Sequence, residues 1–110
     1  MNTLNSFQKD TEHMSKMAKA LGHPARLSIL NTLAERQECI CGEIVDVLPL
    51  AQSTVSQHLN DLKKAGLIQG RINGTKSCYC INWNVLNAFL DEFDDWSKTM
   101  KSKQPAEGCC

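Results

Sequence analysis

Residues 53–66 read Ser53-Thr54-Val55-Ser56-Gln57-His58-Leu59-Asn60-Asp61-Leu62-Lys63-Lys64-Ala65-Gly66. Val55, Leu59 and Leu62 fall at i, i+4 and i+7, which is one face of an α-helix. Gly66 stands where a helix over Ser53–Ala65 needs a left-handed cap. The opposite face opens with Gln52, Ser53, Thr54, Ser56, Gln57 and His58, hydrogen-bonding groups with no acid among them. Such groups at a helix N-terminus suit entry into the major groove of duplex DNA, where base edges are read at close range. Lys63 and Lys64, further along, suit phosphate contacts, which position a protein without specifying sequence. A polar solvated face is the ordinary alternative, so the flanking elements decide.

Immediately upstream, Ile44, Val45 and Leu48 pattern a short helix over about residues 42–48, which Pro49 ends. Two short helices joined by the tight turn Pro49-Leu50-Ala51 form a helix-turn-helix. Downstream, Leu67–Ile72 and Lys76–Asn82 flank Asn73-Gly74, the strongest short hairpin signal. Arg71 and Lys76 beside that tip make it a basic wing, placed to lie along the neighbouring DNA backbone or minor groove. Further out, a helix over about 5–21 carries Phe7, Met14, Met17, Ala18 and Leu21. A second, over about 24–35, opens on Pro24 and turns Leu27, Leu30 and Leu33 inward. An extended piece around Glu38–Ile40 follows it. The last helix, about 84–101, has Leu86, Phe89, Leu90, Phe93, Trp96 and Met100 at spacings of three and four. The expected fold is mainly α with a small β-hairpin, in the order α-α-(β)-α-α-β-β-α. It is a winged helix-turn-helix over 1–101, with a polar, Cys-terminated tail over 102–110.

A chain of 110 residues fits one domain and has little left over for a deep catalytic cleft, so an enzyme is not expected. No apolar run reaches the ~18–20 residues of a membrane span, and the N-terminus lacks a basic start and an apolar stretch. A cytoplasmic protein with no membrane partner follows. The formal net charge of zero conceals an uneven distribution. Between 52 and 76, Lys63, Lys64, Arg71 and Lys76 face Asp61 alone; between 84 and 100, Asp91, Glu92, Asp94 and Asp95 face Lys98 alone. The basic middle is what a phosphate backbone meets. The acids of the last helix, with no histidine among them, read as a solvated face.

The run Ala20-Leu21-Gly22-His23-Pro24-Ala25-Arg26-Leu27-Ser28-Ile29-Leu30 resembles the opening signature of the ArsR family (ArsR/SmtB-type) of winged-helix repressors. Ser53–Leu59 and Leu62–Ile68 resemble that family's recognition helix and its exit, and the similarity spans about residues 14–100. The resemblance implies a homodimer, joined through the first and last helices, that represses from an inverted-repeat operator. The apolar stripes of those helices exceed what one small core needs.

Six cysteines come in three close pairs, Cys39/Cys41, Cys78/Cys80 and Cys109/Cys110. In a reducing compartment such pairs read as metal or redox sites before structural bridges. Glu38-Cys39-Ile40-Cys41-Gly42-Glu43 is similar to the Cys-x-Cys element of the family's arsenic- and cadmium-sensing members. Soft thiolates select As(III), Sb(III), Cd(II) and Zn(II), and a helix N-terminus favours the thiolate form. On a helix, residues i and i+2 point about 200° apart; on an extended segment they share a face. Joint ligation by Cys39 and Cys41 therefore requires extended backbone at the start of the helix-turn-helix. The best-known arsenic sensors carry a further cysteine three residues on, where this chain has Ile44. Trigonal As(III) is then one sulfur short, and Cys109 and Cys110 are the expected donors. Cys78 and Cys80 share a face of the second hairpin strand, as small apolar fillers or as a second dithiol. His13 and His23 read as structural or surface groups, and His58 as a DNA contact. The expected inducer is arsenite, with Sb(III) or Cd(II) behind it and no organic cofactor. A redox or reactive-sulfur switch on the same scaffold is the main alternative. A small thiol enzyme or metal chaperone is more distant, because it leaves the helix-turn-helix unexplained.

Overall fold

Proline and glycine set the first boundaries. Pro24 takes the first turn of its helix, and the His23 imidazole ahead of it accepts a 3.0 Å bond from the Ala25 N–H. The computed structural model describes residues 8–37, 39–41, 50–73 and 76–106; the side chains of residues 41, 71–73, 76 and 77 are outside that set. Within it the order is α1 (Lys9–Leu21), α2 (Pro24–Arg36), β1 (Ile40–Cys41), α3 (Gln52–Lys64), β2 (Ile68–Asn73), β3 (Lys76–Ile81) and α4 (Trp83–Ser102). The expected helix over 42–48, Phe7, the turn residue Gly74 and the tail residues Cys109 and Cys110 lie outside the described residues. The chain is mainly helical with a small antiparallel hairpin, as expected.

Helix α3 ends as its sequence requires. Gly66 adopts φ +83°, a conformation open to glycine without steric cost. The Leu67 N–H then reaches back to the Leu62 carbonyl and the Gly66 N–H to that of Lys63, both at 3.0 Å, closing a Schellman cap. Leu67 drops fully into the core, and its carbonyl accepts the Asn82 N–H at 2.9 Å. Asn82 in turn caps α4 through its side chain, which accepts from the Val85 N–H. Helix α3, the base of the hairpin and α4 are thus fastened to one another at a single point.

The core gathers Met17 from α1, Ile29, Leu30 and Leu33 from α2, Val55, Leu59 and Leu62 from α3, Ile68 and Ile81 from the wing, and Phe89 from α4. The three-stranded sheet runs β1-β3-β2, all antiparallel, with Ile40 opposite Tyr79 and Ile68 opposite Ile81. Two details correct the sequence reading. Leu27 is 47% exposed, because the buried stripe of α2 is Ala25, Ile29, Leu30 and Leu33, from which Leu27 lies on the far side. Ala18 is exposed for the same reason, with Met17 and Ala20 taking the inward positions of α1. On α4 only Phe89 is buried, while Leu90, Phe93, Trp96 and Met100 stay about half exposed.

Candidate nucleic-acid interface

Helix α3 begins without a side-chain cap: Ala51 precedes it, and its first turn carries no acid. Among the described residues no side chain caps its leading N–H groups, and the helix dipole favours an anion there. Gln52, Ser53, Ser56 and Gln57 are exposed, Thr54 and His58 are partly buried, and Val55, Leu59 and Leu62 hold the opposite face in the core. A shallow groove of about 450 Å³ runs beside this face, lined by Ser53, Ser56, Gln57, Asn60, Lys63 and Tyr79 among others. It joins the helix to the wing. Lys63 strengthens that junction by lying over the backbone of Gly70 in β2, where any side chain would meet its ammonium end at about 3.1 Å.

Charge is arranged in the same sense. Asp61, the only acid of α3, faces Arg26 at 3.7 Å, so its charge is offset. Lys64 shares a second groove of about 500 Å³ with Lys16 and Lys19 of α1 and Arg26 of α2. The sequence reading took Lys63 and Lys64 as phosphate contacts but missed these three upstream cations. Lys16 and Lys19, three apart on one helix face, were the available signal. Arg71 and Lys76 occupy the strands flanking the hairpin tip, where Arg71 registers with Cys78 and Lys76 with Asn73; their side chains lie outside the described set.

His58 is turned toward α2. Its ring lies 4.3 Å from that of His23, and its Nδ1 is buried without a hydrogen-bond partner. Burial lowers its pKa below the ordinary 6.5, and the neighbouring His23 and Arg26 lower it further against the opposing pull of Asp61. Below about pH 6.5 the unfolded chain then binds a proton that the folded chain resists. This contribution to stability is complete above that pH and is lost as the pH falls through 6.5 toward the lowered value. Thermal melts between about pH 7.5 and 5.5 are expected to fall on acidification, and less steeply for His58→Gln. Equal slopes for the two proteins would rule out His58 as the source.

The thiols take an arrangement that sequence reasoning did not foresee. Cys39 is joined to Cys80 by a disulfide, with their Cα atoms 4.4 Å apart. Cys78 is also disulfide-bonded, and the β1–β3 register sets Cys41 opposite it. Cys78 is only 3% exposed, yet it stands outside the main core cluster. The core takes Tyr79 and Ile81 of β3, so Cys78 and Cys80 alternate onto the other face of the sheet. The first Cys-x-Cys element is therefore a strand partner of the second. Two helices are also linked at this level of detail, as His13 of α1 bonds Glu92 of α4 at 3.0 Å.

Comparison with known proteins agrees with this geometry. Residues 23–69 match the family model described as bacterial regulatory protein, arsR family. The chain is 46% identical over 71 residues to an HTH-type transcriptional regulator of Methanocaldococcus jannaschii, an alignment covering 64% of this chain and 79% of that one. It is 30% identical over 83 residues to an arsenical resistance operon repressor of Staphylococcus xylosus, covering 76% and 79% of the two chains. Among solved structures, reduced HlyU from Vibrio cholerae superposes with a TM-score of 0.65 at 28% identity, covering 74% of this chain and 86% of that one. These relatives are transcriptional regulators and not enzymes. No helix among the described residues is long and apolar enough to cross a membrane. A helix with an acid-free N-terminal turn, a wing fastened to it, and these relatives lead to one conclusion: the chain belongs to the ArsR family of DNA-binding transcriptional regulators.

Proposed function

We propose that the protein is a cytoplasmic, homodimeric repressor that releases its operator when a soft metal(loid) binds its thiolates. Trivalent arsenic is the foremost inducer, with Sb(III) or Cd(II) behind it. The N-terminal half of α3 reads base edges through Gln52, Ser53, Thr54, Ser56 and Gln57, while His58, expected from the sequence to join them, is turned instead toward His23 and α2. Lys63, Lys64, Arg71 and Lys76 hold phosphates. Cys39 and Cys41 bind the ion, and Cys109 and Cys110, outside the described residues, are the sulfurs the sequence offers to complete its shell. Leu90, Phe93, Trp96 and Met100, each 46–52% exposed on α4, supply the apolar surface that a second copy would cover.

One observation carries the inducer reading: the Cys39–Cys41 segment is extended, with Ile40 and Cys41 in a strand. Cysteines two apart can share an ion only on such backbone. The arsenical resistance repressor of Staphylococcus xylosus supports the choice of arsenic. The segment leads into the helix-turn-helix, so occupation of the site can bias the pose of α3. A coupling of about 1–3 kcal/mol changes operator affinity several-fold to about a hundredfold.

The Cys39–Cys80 disulfide favours a second reading, a peroxide-responsive switch. There two thiols lose two electrons and two protons to one hydrogen peroxide, giving a disulfide and two waters. A release titration separates the two readings. Reduced protein on its operator is titrated with As(III), Sb(III), Cd(II), Zn(II) and peroxide. Release by arsenite at stoichiometric ion, abolished in Cys39→Ser, is the expected result. Release by peroxide alone would overturn the metalloid reading.

A further inference from the structure

We infer that Cys39, Cys41, Cys78 and Cys80, once reduced, form one four-sulfur site across β1 and β3 for a soft divalent cation that takes tetrahedral sulfur ligands. The site deepens the thiolate-sensing reading and rests on it for its regulatory meaning, though not for its existence.

Three features of the sheet carry the inference. The register places Cys41 opposite Cys78 and, two residues along each strand, Cys39 beside Cys80. Alternation then puts all four positions on one face, the face opposite to Ile40, Tyr79 and Ile81. The spacings also suit a single ion. The Cα atoms of Cys39 and Cys80 are 4.4 Å apart, and positions two apart on one strand lie about 6.6–6.8 Å apart. Sulfurs at about 2.3 Å from a tetrahedral cation stand about 3.8 Å from one another. Cysteines at the corners of such a rectangle reach those points by leaning inward. Burial of Cys78 keeps water from one side, whereas Cys39 and Cys80 are only partly buried and leave an approach. Arg71 occupies the register position opposite Cys78 in β2.

In the disulfide state no three His, Cys, Asp or Glu side chains among the described residues are grouped to hold a metal. The site thus opens by reduction. A dithiol reductant passes two electrons and two protons to each disulfide and is itself oxidised to a disulfide. The cation then binds four thiols, displaces four protons and forms a tetrathiolate of net charge −2. Both states tie β1, which leads into the helix-turn-helix, to β3 of the wing. Only the reduced, empty state leaves the wing free of that tie.

The test uses the reduced full-length chain with Cd(II) and reads the sulfur count at the metal by X-ray absorption, with affinity by chelator competition. Four sulfurs and one Cd(II) per chain are expected. In Cys78→Ser/Cys80→Ser the count falls to two and affinity weakens by well over about tenfold. If circular dichroism shows the double variant unfolded, Cys80→Ser at its partly exposed position carries the test, with an expected count of three. A parent count of two, or variants that keep the parent's count and affinity, would overturn the inference. A Cd(II) sulfur count of two in the parent, beside intact release of DNA by arsenite, sinks this site and leaves the sensing reading standing. A four-sulfur centre whose filling leaves operator binding unchanged sinks the sensing reading and leaves the site standing.

Discussion

Gln57→Glu is expected to weaken operator binding by about a hundredfold while leaving stability within about 0.5 kcal/mol. Gln57 is exposed on the acid-free side of α3 and lines the groove between that helix and the wing. Its amide is both donor and acceptor, the pattern that pairs with adenine in the major groove. A carboxylate loses the donor, which is worth about 1–3 kcal/mol of base recognition. It also brings a negative charge among phosphates, where Asp61 is the helix's only other acid and is already offset by Arg26. Together these approach 3 kcal/mol, or about two powers of ten. Fluorescence anisotropy on a duplex selected by the reduced protein measures the loss, and thermal melting checks the fold. Parent-like affinity would mean that this face of α3 does not meet DNA.

Leu62→Ala is expected to destabilise the chain by about 3–4 kcal/mol, within the range found for buried leucines. Leu62 is completely buried, and its carbonyl accepts the Leu67 N–H that closes the α3 cap. Removing the isobutyl group leaves a void bounded by residues of the helices and the wing base, where the chain has little freedom to collapse. A domain of this size has about 5–15 kcal/mol in hand, so the loss is a large share of the total. Each kcal/mol moves the melting temperature by about 4–8 °C, and a fall of more than about ten degrees follows. A shift under about 4 °C would place Leu62 outside the principal core. DNA binding is expected to fail with the fold, whereas Gln57→Glu loses binding and keeps the fold.

The elements that were legible in the sequence are those whose signal is local. Val55, Leu59 and Leu62 share a helix face by spacing alone, and Gly66 marks the stop because few other residues take its φ. The hairpin was legible too, since Asn73-Gly74 interrupts two segments of strand pattern, although β2 runs on through Asn73, which pairs with Lys76. The stripe of α2 misled at Leu27, because an apolar residue within a helical run says nothing of which side the core takes. Spacing on α4 showed an apolar face, but not that one chain buries only Phe89 from its middle. The thiol cluster was beyond local reading. Strand β1 has two residues and no periodicity, its partner lies nearly forty positions away, and six cysteines permit fifteen pairings. Tertiary pairing alone brings Cys39 to Cys80. Lys16, Lys19 and Arg26 were missed for a related reason, since only the packing of α1 and α2 against α3 collects them beside Lys64.

The central claim is that thiols in the β1 segment govern whether α3 holds DNA. Reduced protein on its selected duplex, followed by anisotropy through one equivalent of arsenite per chain and then excess dithiol chelator, tests it most directly. The account predicts loss of the bound signal at the first addition and recovery at the second, with Cys39→Ser/Cys41→Ser bound throughout. Unchanged anisotropy in the parent protein, or equal release from the cysteine variant, would contradict it.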